Sequence, residues 1–273
     1  MSQPDQHSMT NHRSSRAALV VAAVLLSAAA CGTKDAPDPI EPSGPVARVR
    51  FVNVITDTAR GRVNASLEGQ PLNINLTYTQ SAPATLAAPS TAPYAAILAG
   101  ERSLVLKRTA DTSVVVATLP FTIAADEDRT VYAIGGVGGS AVTAFVTRDS
   151  NPVPAATQAR VRVVHLSPTA GPVDVFLTAP AADLAAATPS AANILYRGVS
   201  AYLTVAPGTY RFRAVRAGTP AADRAANVVI DLVNVSTNPV TPLAFAGGRG
   251  RTIVTADNNV GGAPLRAFVL IDR

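Results

Sequence analysis

The chain has 273 residues, 48% of them hydrophobic and 15% charged, with no Trp, so it can bury real cores but must build them mainly from aliphatic side chains. One Cys and three His exclude an internal disulfide framework and multi-Cys metal sites, and no metal or cofactor motif is present. The net charge of +5 comes almost wholly from Arg, since only Lys34 and Lys107 are lysines; without a long basic run or an aromatic RNA-binding motif, it argues against nucleic acid as a partner.

Arg13 and Arg16 precede the apolar run Ala17–Ala30, which falls short of the ~20 residues a membrane span needs. A positive zone, a short apolar zone and small residues, in that order, read as an export signal over 1–30. Cys31 and Gly32 follow at once. This resembles the lipobox of bacterial lipoproteins, whose Cys is diacylated and becomes the mature N-terminus. Cys31 is therefore the expected lipid attachment and contact with the membrane. The expected place is the cell envelope, at the outer membrane or cell surface rather than the inner membrane. Segment 31–46, dense in Pro, acids and small residues, has no apolar period and reads as a tether.

From residue 47 the chain repeats itself. Ala47-Arg-Val-Arg-Phe-Val-Asn53 matches Ala159-Arg-Val-Arg-Val-Val-His165, and Ala144-Phe-Val-Thr-Arg-Asp149 matches Ala267-Phe-Val-Leu-Ile-Asp272. Matches in the same order indicate tandem copies over 47–150 and 159–273, and a period this long means two domains rather than a solenoid. Both copies show apolar residues at every second position, as in Val161/Val163 and Val173/Val175/Leu177, punctuated by Gly, Pro and Asn. The expected fold is all-β: two tandem immunoglobulin-like antiparallel β-sandwich domains behind the signal and tether. The segment Asn151–Gln158, with Pro152 and Pro154, is expected to be a stiff linker between separately folding units.

Residues Ala159–Leu177 (ARVRVVHLSPTAGPVDVFL), followed by Tyr202-Leu-Thr-Val-Ala-Pro-Gly-Thr-Tyr210, resemble the bacterial domain-of-unknown-function family DUF4397. That family opens with an Arg/Val strand, then His-x-Ser-Pro and Val-Asp-Val. The second copy is the closer match; the first has Asn53 in place of the His and Thr56-Asp-Thr58 in place of Ser-Pro. The resemblance implies a sandwich in envelope or secreted proteins and carries over no catalytic residue.

His165, Ser167 and Asp174 are the residue types of a hydrolase triad, which needs a Ser–His hydrogen bond and an acid orienting the His. Pro168 instead favours a turn whose backbone His165 bonds and which Ser167 opens, and there is no Gly-x-Ser-x-Gly elbow. At the equivalent place Asn53 could make that bond but could not act as a base. Asp126-Glu-Asp128 lacks the ligand spacing of a calcium loop and reads as a turn, as does Asp257-Asn-Asn259. Gly135–Gly139 and Gly247–Gly250 lack the ending of a phosphate loop and read as hairpin turns or strand bulges that need positive φ.

Arg48 with Arg50, Arg160 with Arg162 and Arg211 with Arg213 alternate with core residues, so each pair is expected on an outer sheet face. Arg160, Arg162, Arg211 and Arg213 would form a surface for an anionic ligand such as an acidic envelope polysaccharide, unless acids such as Asp174 and Asp231 neutralise them. The leading functional expectation is a non-enzymatic envelope lipoprotein that presents its β domains to another molecule, with a periplasmic or surface hydrolase as the rival.

Overall fold

The computed structural model describes residues 44–83, 94–232 and 243–272. The export signal, Cys31 and most of the tether lie outside the described residues. The first half runs through β1 (Val46–Ile55), β2 (Val63–Leu67), β3 (Gln70–Leu76), β4 (Ser81–Ala82), β5 (Ala95–Leu98), β6 (Gly100–Arg108), β7 (Asp111–Ile123), β8 (Asp128–Gly135) and β9 (Val142–Asp149). The second runs through β10 (Ala159–Leu166), β11 (Val173–Thr178), β12 (Ala191–Ile194), β13 (Gly198–Val199), β14 (Leu203–Val205), β15 (Gly208–Arg216), β16 (Val228–Asp231), β17 (Leu243–Phe245), β18 (Arg249–Ala256) and β19 (Arg266–Ile271).

Each half is a β-sandwich. In the first, β4 and β5 flank β1, which continues to β8 and β9, opposite a sheet ordered β3-β2-β6-β7. In the second, β13 and β14 flank β10, which continues to β18 and β19, opposite β12-β11-β15 with β16 and β17 on β15. The strand order is the same in both. The pairs β1–β8 and β10–β18 are parallel, whereas the other pairings among the described residues are antiparallel. A parallel pair arises because the chain leaves after the first strand, builds the facing sheet, and returns in the original direction.

Strand β1 shows why the halves meet. Its even-spaced set Ala47, Val49, Phe51 and Ile55 packs into the first sandwich against Leu104, Leu106 and Leu119. Its other face carries Arg48, Arg50, Val52 and Val54, and Val52 and Val54 are buried too. Apolar residues on both faces of a strand require cover on both faces. The cover is the second half. Val52, Val54, Tyr132 and Ile134 form a core with Val164, Leu166, Val254, Ala256 and Leu270.

Three cores therefore stack four sheets, with a seam between the two inner ones. The expectation of separately folding units did not foresee this shared core, and Gly44–Arg273 forms one compact unit. The 151–158 segment is docked as well: the Gly248 amide donates to the carbonyls of Ala155 (3.2 Å) and Gln158 (2.8 Å). A Cβ on Gly247 would stand 1.7 Å from the Ala156 carbonyl oxygen, so only glycine lets the segment pass.

Candidate functional site

The seam holds an ionic centre. Arg50 on β1 donates through Nε to Thr130 Oγ1 (3.1 Å), through Nη1 to the Ile271 carbonyl (2.8 Å), and through Nη2 to Asp272 (2.9 Å). Arg162 on β10 repeats the pattern with Thr252 Oγ1 (2.9 Å), the Arg148 carbonyl (3.0 Å) and Asp149. Each guanidinium thus reaches out of its own half to the end of the other half's last strand. Both arginines are 1% exposed.

Such a buried charge is tolerable only when its partners are saturated, and they are. Asp149 also accepts from Thr130, from Thr147 (2.8 Å) and from the Tyr94 hydroxyl (2.8 Å), while Asp272 accepts from Thr252 (2.7 Å). Tyr94 lies under Arg50 at 4.7 Å from its ring centroid, and Tyr202 under Arg162 at 5.1 Å. Burial, the largest single influence, would lower the pKa of Arg162, but Asp149, Tyr132, Tyr202 and Asp272 together outweigh it and raise the value on balance. This centre is a cross-link between halves, with every arm engaged inside the protein.

The arginine surface expected from the alternation is corrected accordingly. Arg162 does point away from its own sandwich core, but that face is the seam and not solvent. Arg160, half-buried at the rim, lies over Tyr202 at 4.2 Å and donates to the Ser150 carbonyl. On β15, Arg213 is buried and donates to Thr178 Oγ1 (2.8 Å) and the Ala182 carbonyl (2.9 Å), because the 179–190 segment folds over that face. Burial, and then neighbouring Arg211, lower its pKa. Arg211 pairs with Asp231 through both Nε and Nη2, the neutralisation weighed in the sequence. Asp174 instead accepts the backbone amides of Asn193 (2.8 Å) and Gly218 (3.3 Å). The four arginines do not make one exposed patch.

His165, Ser167 and Asp174 are not brought together as a triad. The carbonyl of Gly171 can only accept, so His165 Nε2 carries the proton and donates to it at 2.8 Å; Nδ1 then accepts from Thr255 Oγ1 at 2.7 Å. Both ring nitrogens are occupied, and burial lowers the imidazole pKa against the opposing pull of the Gly171 bond. Ser167 donates to Asp257 and accepts the Ala170 amide (3.1 Å), opening the turn, while Thr169 also donates to Asp257 (2.6 Å). Asn53 serves the same purpose in the first half, donating to the Gly61 carbonyl (2.6 Å) where His165 donates to Gly171. These residues lock the turn after the first strand of each half.

The acidic cluster is a turn held by cations: Glu127 pairs with Arg129 and Arg148, and Asp128 with Arg48 (2.6 Å). Gly135 and Gly136, at φ 97° and 100°, turn β8 into β9 as a hairpin. Among the described residues no three His, Cys, Asp or Glu side chains group as metal ligands would. Asp149, Asp272 and Asp257 are structural carboxylates whose partners the sequence did not reveal. The signal for the first two was present: both end the repeated Ala-Phe-Val strand, and both repeats also carry the buried Arg.

No curated protein matches the chain. Among solved structures, a leucine-rich repeat protein from Bacteroides thetaiotaomicron VPI-5482 is similar over 81% of this chain and 26% of that one, at 11% identity and a TM-score of 0.18. The chain spans about a quarter of that protein's length. Residues 47–176 match the family model described as "Domain of unknown function (DUF4397)". The match takes in the whole first half and reaches only Phe176 in the second, although the second half carries the fuller motif. The likeness to the DUF4397 domain therefore rests on the first sandwich, the linker and the opening strands of the second.

Proposed function

We propose that the protein is a non-enzymatic lipoprotein of the cell envelope, anchored through Cys31 and built from two tandem copies of one β domain fused into a rigid block. The single observation that carries the reading is the placement of the only Cys, directly behind a basic and apolar export segment and ahead of a Pro-rich tether. The shared strand order supports the tandem-copy part. The engagement of His165, Ser167 and both seam arginines in internal bonds supports a presenting rather than a catalytic role. A bacterial lipid anchor of two or more chains holds a protein stably where one chain would not. Cys31→Ser should move the protein from the membrane pellet to the soluble fraction and abolish labelling by a radioactive fatty acid, leaving its melting temperature unchanged. A variant that stays in the pellet with the wild type sinks the anchor assignment.

A further inference from the structure

A cleft of about 380 Å³ opens at one end of the seam, between the β1–β2 and β3–β4 loops of the first half and the start of β19 in the second. Arg62 and Arg266 line it, and neither guanidinium makes a hydrogen bond or ion pair among the described residues. Arg266 Nε is moreover shut off from solvent without a partner. The acid in the cleft, Asp57, is already held by Arg60 at 2.6 Å, so it does not cancel them. Thr77, Thr79, Tyr78 and Phe268 are also among the lining residues.

The same place in the other half is filled differently. There Pro172 stands where Arg62 does, and Arg197 donates to Thr143 Oγ1 at 3.1 Å and lies over the Tyr196 ring at 5.4 Å. One end of the seam is satisfied internally, and the other is lined by two arginines whose guanidiniums make no hydrogen bond or ion pair among the described residues.

We propose that this cleft binds a small hydroxylated anion, a sugar carboxylate or sugar phosphate, through the guanidiniums of Arg62 and Arg266. Two arginine forks suit an oxyanion headgroup. Threonine hydroxyls and aromatic walls suit the hydroxylated ring behind it, and the volume lies in the range of small-molecule sites. The assignment involves none of the arginines of β10 and β15 and stands whether or not Cys31 carries lipid.

Calorimetric titration of the full chain at low salt tests it, with glucuronate, glucose 6-phosphate, inorganic phosphate and glucose as probes. At least one sugar acid should bind, glucose should not, and the sugar acid that binds identifies the headgroup. Arg62→Ser and Arg266→Ser should each weaken that binding about tenfold, the loss of a charge-assisted contact. Arg197→Ser, at the filled end, should leave it unchanged. Because neither cleft arginine has a hydrogen-bond or ion-pair partner to lose among the described residues, both variants should melt with the wild type, which separates lost binding from lost folding. No heat with either sugar acid, affinity retained in both cleft variants, or inorganic phosphate binding as tightly as the sugar acids would overturn the proposal.

Discussion

Strands β10 and β15 are written alike and end in different surroundings. Arg160 and Arg162 alternate with Val161 and Val163 on one; Arg211 and Arg213 alternate with Tyr210, Phe212 and Ala214 on the other. Yet Arg162 sits 1% exposed between two sandwiches, while the Arg211 side chain keeps 30% of its surface in water. Alternation tells which face a residue takes, and not what covers that face. The cover of β10 is apolar and comes from the other half, so its arginine must be saturated by carboxylates that come with it. The cover of β15 is a local loop and a neighbouring strand, so its arginines bond to whatever those offer.

The largest effect of that contrast lies in the seam. Arg162→Met would leave Asp149 buried beside Thr130, Thr147, Tyr94 and an Arg50 guanidinium 3.8 Å away. Removing one partner of a buried pair costs about 3–5 kcal/mol. Because the pair joins the halves, the loss should appear in one cooperative denaturant transition for 47–273, in wild type and variant alike. Two transitions, or a loss below ~1 kcal/mol, would reduce the seam to a contact between independent domains.

Some of this contrast was legible. Val52 and Val54 follow Arg50 on the same face, and Val164 and Leu166 follow Arg162, so both faces of β1 and β10 are apolar over their second halves. A strand apolar on both sides announces a third layer, whereas Arg213 is followed on its face by Val215 alone before the strand ends. The sandwich, the turns and the repeated strands could be read from period and punctuation. Which carboxylate meets which guanidinium could not, because Arg50–Asp272 and Arg162–Asp149 are set by how the two sheets stack, and no local pattern encodes that. The open cleft was equally hidden: Arg62 and Arg266 are far apart in sequence and gain meaning only from the seam that brings them to one opening.

The turn locks permit a second, smaller test, comparing the halves instead of the faces. His165 is held neutral by burial, and its pKa lies below the ordinary value of about 6.5. A base with a lowered native pKa contributes stability that is complete above the unfolded value and is lost as pH falls through it toward the native one. The protein should therefore lose stability as pH falls through about 6.5, the unfolded value. Replacing His165 by Asn, the residue the first half uses at this place, should flatten that part of the profile. At neutral pH the variant should lose about 1 kcal/mol for the exchanged hydrogen bonds. A profile as steep in the variant as in wild type would assign the acid sensitivity elsewhere.

The smallest effect belongs to the outer sheet, and its smallness is the point. Arg211 on β15 reaches diagonally to Asp231 on β16, which stands opposite Arg213, and the two keep 30% and 23% of their side-chain surfaces exposed. Water already solvates both charges well, so the pair gains little by meeting and loses side-chain freedom in doing so. Arg211→Ser should cost only ~0.2–1 kcal/mol, and that cost should shrink further as salt screens the pair. Arg162→Met should show little salt dependence, since its partners lie behind packed strands where ions do not enter. Denaturant midpoints of the two variants, each measured at low and high salt, give four values. A loss for Arg211→Ser comparable to that for Arg162→Met, or an equal salt response in both, would mean that the cover over the face is not what sets the worth of its arginines.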